Sequence, residues 1–173
     1  MLLIRTFVIV ILATLLIPAA SAATERDRIN ACLSANWEGV IRNGQDIGTV
    51  FDLDRLASTS IGPAMRSLSQ QQRADSSHMV ALAIKSALEQ NLNRLRQLEY
   101  RPSDLPWDFE TFPRSYRVTG SLEHRTKNTS YDVRVVVGKS TCKISSMGIE
   151  GFLLRNWIQE TPEFIAFMQQ TDA

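Results

Sequence analysis

Residue types that commonly carry enzyme chemistry are few in this 173-residue chain and are widely separated. Its two histidines, His78 and His124, do not form the His-x-x-x-His spacing that binds zinc. The sequence has no Gly-x-Ser-x-Gly elbow and no glycine-rich phosphate loop. Asp52 and Asp54 are spaced as paired acids, but the start of a helix explains both more simply. The sequence therefore favours binding over catalysis, with no metal and no cofactor.

Cys32 and Cys142 are the only cysteines. In an oxidising compartment they could pair, and the bridge would close a loop of about 110 residues worth roughly 4–5 kcal/mol. The alternative is two separate buried thiols, because free cysteine is among the most buried residue types. Neither cysteine has a Cys-x-x-Cys partner or a neighbouring histidine, so metal and redox chemistry have little support.

The first 22 residues have the three parts of a secretory signal peptide. Arg5 supplies the positive charge, an apolar run covers residues 7–17, and Ala20-Ser21-Ala22 forms a cleavage site after Pro18. The apolar run is much shorter than the roughly 20 residues that a membrane-spanning helix needs. We therefore expect residues 1–22 to be cleaved and residues 23–173 to form a single domain on the far side of a membrane.

The charge balance of the chain argues against nucleic-acid binding. The 19 Lys and Arg residues nearly match the 18 Asp and Glu residues, and loss of Arg5 with the leader makes the two counts equal. A chain without net charge has no general attraction to a polyanion. Apolar residues make up 44% of the sequence, which is ordinary for a globular protein.

Apolar spacings of three and four predict helices in the first half of the mature chain. A first helix is expected over about residues 24–40, and a second begins after Asp52 as its N-cap. Ser69 and Gln72 form a capping box that starts a long helix, which we predict to reach about Leu98. Its apolar stripe comprises Ala81, Ile84, Leu88, Leu92 and Leu95, whereas Met79 and Leu82 lie off the stripe.

The apolar period then changes to two, which is typical of strands with one buried face. Alternating runs lie near residues 105–109, 116–123, 131–137 and 142–145, followed by a helical segment interrupted at Thr161-Pro162. The predicted fold class is α+β, with N-terminal helices, a curved antiparallel meander of about four strands, and a C-terminal helix. The helices must cover the apolar side of the sheet.

Four stretches carry a resemblance to a known family: FDLDRLA at residues 51–57, MRSLSQQQR at 65–73, YDVRV at 131–135 and CKISSMGIEGFLLRN at 142–156. With the leader, they resemble the MlaC / toluene-tolerance family of periplasmic lipid-binding proteins. The chain differs from the family pattern at Pro63-Ala64, Cys142 and Leu153. These differences suggest a divergent branch that binds another lipid, such as a hopanoid.

The resemblance implies a shuttle that carries phospholipid between an inner-membrane ABC transporter complex and an outer-membrane lipoprotein complex. Such transport maintains outer-membrane lipid asymmetry, and the acyl chains lie between the sheet and the helices. The residues expected to contact the bound lipid are apolar members of the long helix and of one sheet face: Met79, Leu82, Ile84, Leu88, Val118, Leu122, Val133, Val135 and Ile144.

Two other functions fit the same sequence. The apolar residues could form a solid core, in which case the protein would be an exported protein-binding adaptor. An isomerase or hydrolase would need an acid or base inside a cavity, and Asp132 and Glu150 are the first candidates. An apolar cavity that contains no ionisable group would exclude the enzyme, and a cavity too small for an acyl chain would favour the adaptor.

Overall fold

The computed structural model describes residues 25–105 and 108–171. The predicted signal peptide lies outside these residues, and so does Trp107 of the first alternating run. Within the described residues, no helix is both long and apolar enough to cross a membrane.

The fold is α+β, as predicted, with helices before and after an open antiparallel sheet. Helix α1 covers residues 25–43 of the described chain. It is followed by α2 (Ile47–Val50), α3 (Leu53–Ile61), a 3₁₀ turn (Gly62–Arg66) and the long helix α4 (Gln70–Leu95). The chain ends with α5 (Leu154–Glu160) and α6 (Pro162–Thr171), which meet at the predicted break.

The helix starts follow the predicted capping chemistry. Asp52 Oδ1 accepts a hydrogen bond from the backbone N–H of Arg55 at 3.2 Å, which caps α3. At the start of α4, the backbone N–H of Gln72 donates to Ser69 Oγ at 3.2 Å, and the Gln72 side chain accepts from the backbone N–H of Ser69 at 2.8 Å. Both bonds of the predicted capping box are therefore present.

The described part of the chain contributes six strands to the sheet: β1 (Leu98–Pro102), β2 (Phe109–Thr111), β3 (Ser115–His124), β4 (Ser130–Gly138), β5 (Ile144–Ile149) and β6 (Phe152–Leu153). The order is β1-β3-β4-β5-β6, and β2 also pairs with β3. Strands β3, β4 and β5 form the predicted meander. Strands β1 and β2 occupy successive parts of the same edge of β3, so the sheet exceeds the predicted four strands.

Three predicted boundaries were wrong. The first alternating run was expected near residues 105–109, but strand β2 begins only at its last residue, Phe109. The long helix ends at Leu95, and the residues assigned to its last turn begin strand β1. Leu98 and Tyr100 point into the core while Glu99 and Arg101 are more exposed, so the two-residue period already begins here. Cys142 was assigned to the last strand but lies in the turn before β5, with φ of +55°.

The inner sheet face supplies much of the hydrophobic core. Its buried apolar side chains come from alternate positions of β3, β4 and β5, as predicted: Tyr116, Val118, Leu122, Val133, Val135, Val137 and Ile144. They pack in one hydrophobic cluster with residues of α1, α3, α4, α5 and α6. Among the helices that follow α1, α4 packs mainly on α3 and α6. The sheet is therefore covered by a helical layer on one side.

Gly120 permits the close approach of β1 to β3. A Cβ atom at this position would lie 2.6 Å from the Arg101 carbonyl oxygen and 2.9 Å from the ring of Tyr100. We expect Gly120→Ala to lower the free energy of unfolding by about 1–3 kcal/mol, because paired backbone cannot move aside. The measurement is urea unfolding followed by circular dichroism.

Gly48→Ala is the matched control, because a Cβ there would meet only ordinary contacts at 3.6 Å or more. Its stability should equal or slightly exceed that of the unmodified protein. A Gly120→Ala protein as stable as this control would contradict the argument from crowding.

Candidate functional site

An apolar cavity of about 210 Å³, partly open to solvent, lies between the inner sheet face and the helices. Its walls come from α1, the α2–α3 junction, the second half of α4, strands β1, β3, β4 and β5, and α5. The larger apolar residues that line it are Leu33, Trp37, Val40, Ile41, Val50, Phe51, Ile84, Leu88, Leu95, Leu122, Val133, Val135, Ile144, Met147, Ile149, Leu154 and Trp157. The core is thus not solid at this position.

Six of the nine residues expected to contact lipid line this cavity: Ile84, Leu88, Leu122, Val133, Val135 and Ile144. The other three do not. Val118 is buried in the packed part of the core, where it pairs with Phe109 of β2. Met79 packs against the core on the part of α4 that precedes the lining residues, and Leu82 is exposed on another side of α4. The cavity follows only the second half of α4, so the first half offers no lining residue.

Helix α1, strand β5 and helix α5 contribute lining residues that sequence analysis did not assign. The spacing of Leu33, Trp37 and Val40 predicted an apolar helix face, but it carried no information on what that face covers. Met147 and Trp157 likewise enter the cavity through tertiary packing. The wall opposite the sheet therefore depends on contacts between distant parts of the chain.

Several links fasten helix α1 to the sheet layer. Cys32 and Cys142 form a disulfide, with a Cα–Cα distance of 6.6 Å that suits such a bond. Near the start of the helix, the Arg26 guanidinium donates to the carbonyl oxygens of Ser103 and Leu105. Further along, Trp37 Nε1 donates to the Leu98 carbonyl oxygen at 3.3 Å. These links hold one wall of the cavity in place.

A fourth link begins with the Glu25 carboxylate, which accepts hydrogen bonds from Arg28 Nη2 at 2.8 Å and from the Tyr116 hydroxyl at 2.9 Å. These bonds, with the positive charges of Arg28 and Lys139, lower the pKa of Glu25 from 4.5 to about 2. The carboxylate therefore stays ionised at neutral pH and joins the start of α1 to β3.

Polar lining groups are few. The side-chain amide of Asn36 donates to the Cys142 carbonyl oxygen at 3.1 Å, and that of Asn91 donates to the Ala87 carbonyl oxygen at 3.0 Å. No Asp, Glu, His, Lys or Arg is among the lining residues of the described chain. Tyr100 is the one titratable residue there, and burial raises its pKa to about 12. The cavity thus holds no charged group that could clamp a ligand.

The acids singled out from the sequence make structural contacts outside the cavity. Asp52 caps α3, and Asp54 accepts a hydrogen bond from Ser77 Oγ at 2.6 Å, which joins α3 to α4. Glu150 accepts a hydrogen bond from the backbone N–H of Asp132 at 2.7 Å, and both residues are exposed. The capping interpretation of Asp52 is therefore confirmed.

The two histidines are also separate from the cavity. His78 is exposed on α4. His124 Nδ1 accepts from the backbone N–H groups of Thr126 and Lys127 at 3.2 and 3.1 Å, and its Nε2 lies 2.8 Å from Gln97 Oε1. The His124 ring therefore supports the turn between β3 and β4.

Comparison with known proteins adds no family assignment: no protein-family model matches the sequence, and no curated protein matches it significantly. The candidate site therefore rests on the cavity itself, with its apolar lining, its uncharged walls and its disulfide-linked helix.

Proposed function

We propose that this protein is an exported lipid carrier that holds acyl chain in the cavity between its sheet and helices. The observation that carries the proposal is an apolar, uncharged cavity inside the hydrophobic core. Burial of apolar surface contributes about 0.8 kcal/mol per CH₂ group, so an acyl chain is strongly retained without any bond to its headgroup. A carrier that lacks a headgroup clamp can also release its cargo to a membrane.

The volume of the cavity limits what it holds in this conformation. An apolar cavity of about 150 Å³ accommodates benzene, whereas pockets for larger ligands commonly have about 300–1,000 Å³. At about 210 Å³, this cavity takes a segment of one acyl chain. A lipid with two full chains requires the walls of the cavity to separate.

The wider role follows from the family resemblance. We propose a periplasmic location and cargo exchange with an inner-membrane ABC transporter complex and an outer-membrane lipoprotein complex, with a phospholipid or a hopanoid as cargo. An adaptor with a solid core would have no use for an apolar cavity. An enzyme would need an acid or base beside its substrate, and the candidate carboxylates Asp132 and Glu150 lie elsewhere.

Native mass spectrometry of protein secreted with its leader and purified from the periplasm tests this function. We expect a bound mass of about one lipid per chain, which organic extraction would identify by headgroup and chain length. A sample that is folded by circular dichroism, carries no added mass and acquires none from liposomes would overturn the proposal and favour the adaptor.

A further inference from the structure

The residues that line the cavity differ in their exposure, and this difference shows where the cavity opens. All lining residues of β1, β3, β4 and the α2–α3 junction are buried, among them Phe51 and Leu122. In the described chain, half-buried lining residues occur only on α1, on the second half of α4, on β5 and on α5. The opening therefore lies along a boundary between these four elements.

The boundaries of α1 are closed by covalent or polar links. Helix α1 is joined to the turn before β5 by the Cys32–Cys142 disulfide. Just after α4, Arg96 Nε donates a hydrogen bond to the Ile41 carbonyl oxygen of α1 at 3.4 Å. Separation of α1 from β5, or from the end of α4, would have to break these links. Helix α5 follows β5 through the short strand β6, so these elements form one side of the remaining boundary.

The boundary between α4 and α5 has no such link within the described residues. Side chains of residues 78–95 make their hydrogen bonds and ion pairs inside α4 itself. Helix α5 is attached elsewhere, because Gln159 Nε2 donates to the Ser60 carbonyl oxygen of α3 at 2.6 Å. Helix α4 also packs on α6 more extensively than on α5. Side-chain packing alone therefore closes this boundary.

Apolar surface continues from the cavity to the outside at the same boundary. Leu154 and Trp157 of α5 line the cavity and are half-buried. The residue before them, Leu153, is among the few large apolar residues that the described chain exposes, with 36% of its surface accessible. On α4, Asn91 and Leu95 are half-buried lining residues too. An acyl chain that leaves here stays beside apolar groups until it reaches solvent.

We propose that cargo enters and leaves the cavity between α4 and α5, with Trp157 as the gate. This inference rests on the proposed lipid-carrier function and assigns the route that the cargo takes. The two helices separate without breaking a hydrogen bond, an ion pair or a disulfide of the described chain. Opening here therefore costs less free energy than opening along α1.

A covalent bridge across this boundary tests the route. Asn91→Cys with Trp157→Cys, in protein that keeps its native disulfide, would be loaded with labelled lauric acid and then joined by a flexible bismaleimide. Release to phosphatidylcholine vesicles would be measured by removing the vesicles and quantifying the label that stays bound. We expect the bridge to slow release at least about tenfold, relative to the same variant treated with a monofunctional maleimide.

The same bridge between α1 and the sheet layer is the matched control. Arg26→Cys with Ser103→Cys places it where the Arg26 side chain already bonds to the Ser103 carbonyl oxygen, so release should change less than about twofold. Equal release from the bridged and unbridged Asn91→Cys, Trp157→Cys protein would overturn the route while leaving the carrier function intact. Failure of the unmodified protein to bind lauric acid would instead count against the carrier function.

Trp157→Ala supplies a second measurement that needs no bridge. Removal of the indole opens the gate, so uptake and release of lauric acid should both accelerate about tenfold. If Trp157 were only a wall of the cavity, its loss would speed release alone, because weaker apolar contact lowers affinity mainly through the dissociation rate. Unchanged uptake would therefore contradict the assignment of Trp157 as the gate.

Discussion

Replacing Ala87 with phenylalanine should abolish lipid retention while leaving the protein folded. Ala87 is buried on α4 and lines the cavity, so a phenyl ring has space to enter there. The ring would take the volume that an acyl chain needs and would itself be buried against apolar walls. We expect loss of the lipid-bound species in native mass spectrometry, with the unfolding temperature unchanged or raised.

Ala83→Phe is the matched control for this experiment. Ala83 lies one turn earlier on α4 and is fully buried, but it belongs to the packed cluster and does not line the cavity. A phenyl ring there has no space, so the free energy of unfolding should fall by about 1–3 kcal/mol or more. Equal destabilisation by the two substitutions would show that the cavity is not available to a side chain. Lipid retention by folded Ala87→Phe would place the cargo elsewhere.

Removal of the disulfide should produce the second large effect. The bond closes a loop of 110 residues, and loss of a native disulfide commonly costs about 2–5 kcal/mol. For a chain of this size that corresponds to a fall in unfolding temperature of about 10 °C. We expect Cys32→Ala with Cys142→Ala to show this fall, and also to exchange lipid faster because α1 forms one wall of the cavity.

Adding a reductant distinguishes the stability contributed by the disulfide bond from that contributed by the two cysteine side chains. Thermal unfolding of the unmodified protein should shift downward in dithiothreitol, and that of the double variant should not move. Asn36→Ala, which removes a hydrogen bond to the same Cys142 carbonyl, should cost only about 1 kcal/mol. A double variant as stable as the unmodified protein would show that the noncovalent links of α1 are sufficient to hold it.

The sequence predicted those elements whose signals are local. The capping box at Ser69 fixed the start of α4, and alternation along β3 and β4 correctly identified their buried sides. The C-terminal break at Thr161-Pro162 was equally clear, because proline favours the first helical position. Strand β1 was missed because the residues before it favour a helix and no glycine or proline separates the two elements. The strand has only five residues, too few for its two-residue apolar period to be recognised.

The candidate site was only partly predictable, for a physical reason. Ile84 and Val118 are both buried and apolar, yet one lines the cavity and the other lies in packed core. The period of apolar residues shows which side of a helix or strand is buried, and both residues lie on such a side. The contribution of Trp157 to the lining depends on how α5 returns to the sheet, and that of Tyr100 depends on how β1 pairs with β3. Neither property is encoded in local spacing.

The link between Cys32 and Cys142 has a consequence for how the protein matures. The sequence contains no third cysteine, so the chain has only one intramolecular pairing to make. Its formation requires an oxidant but no reshuffling of wrong bonds. Because the partners are 110 residues apart, the bond cannot form until the chain has been synthesised as far as Cys142. Covalent fastening of this cavity wall is therefore a late step, which requires an oxidant but no isomerase.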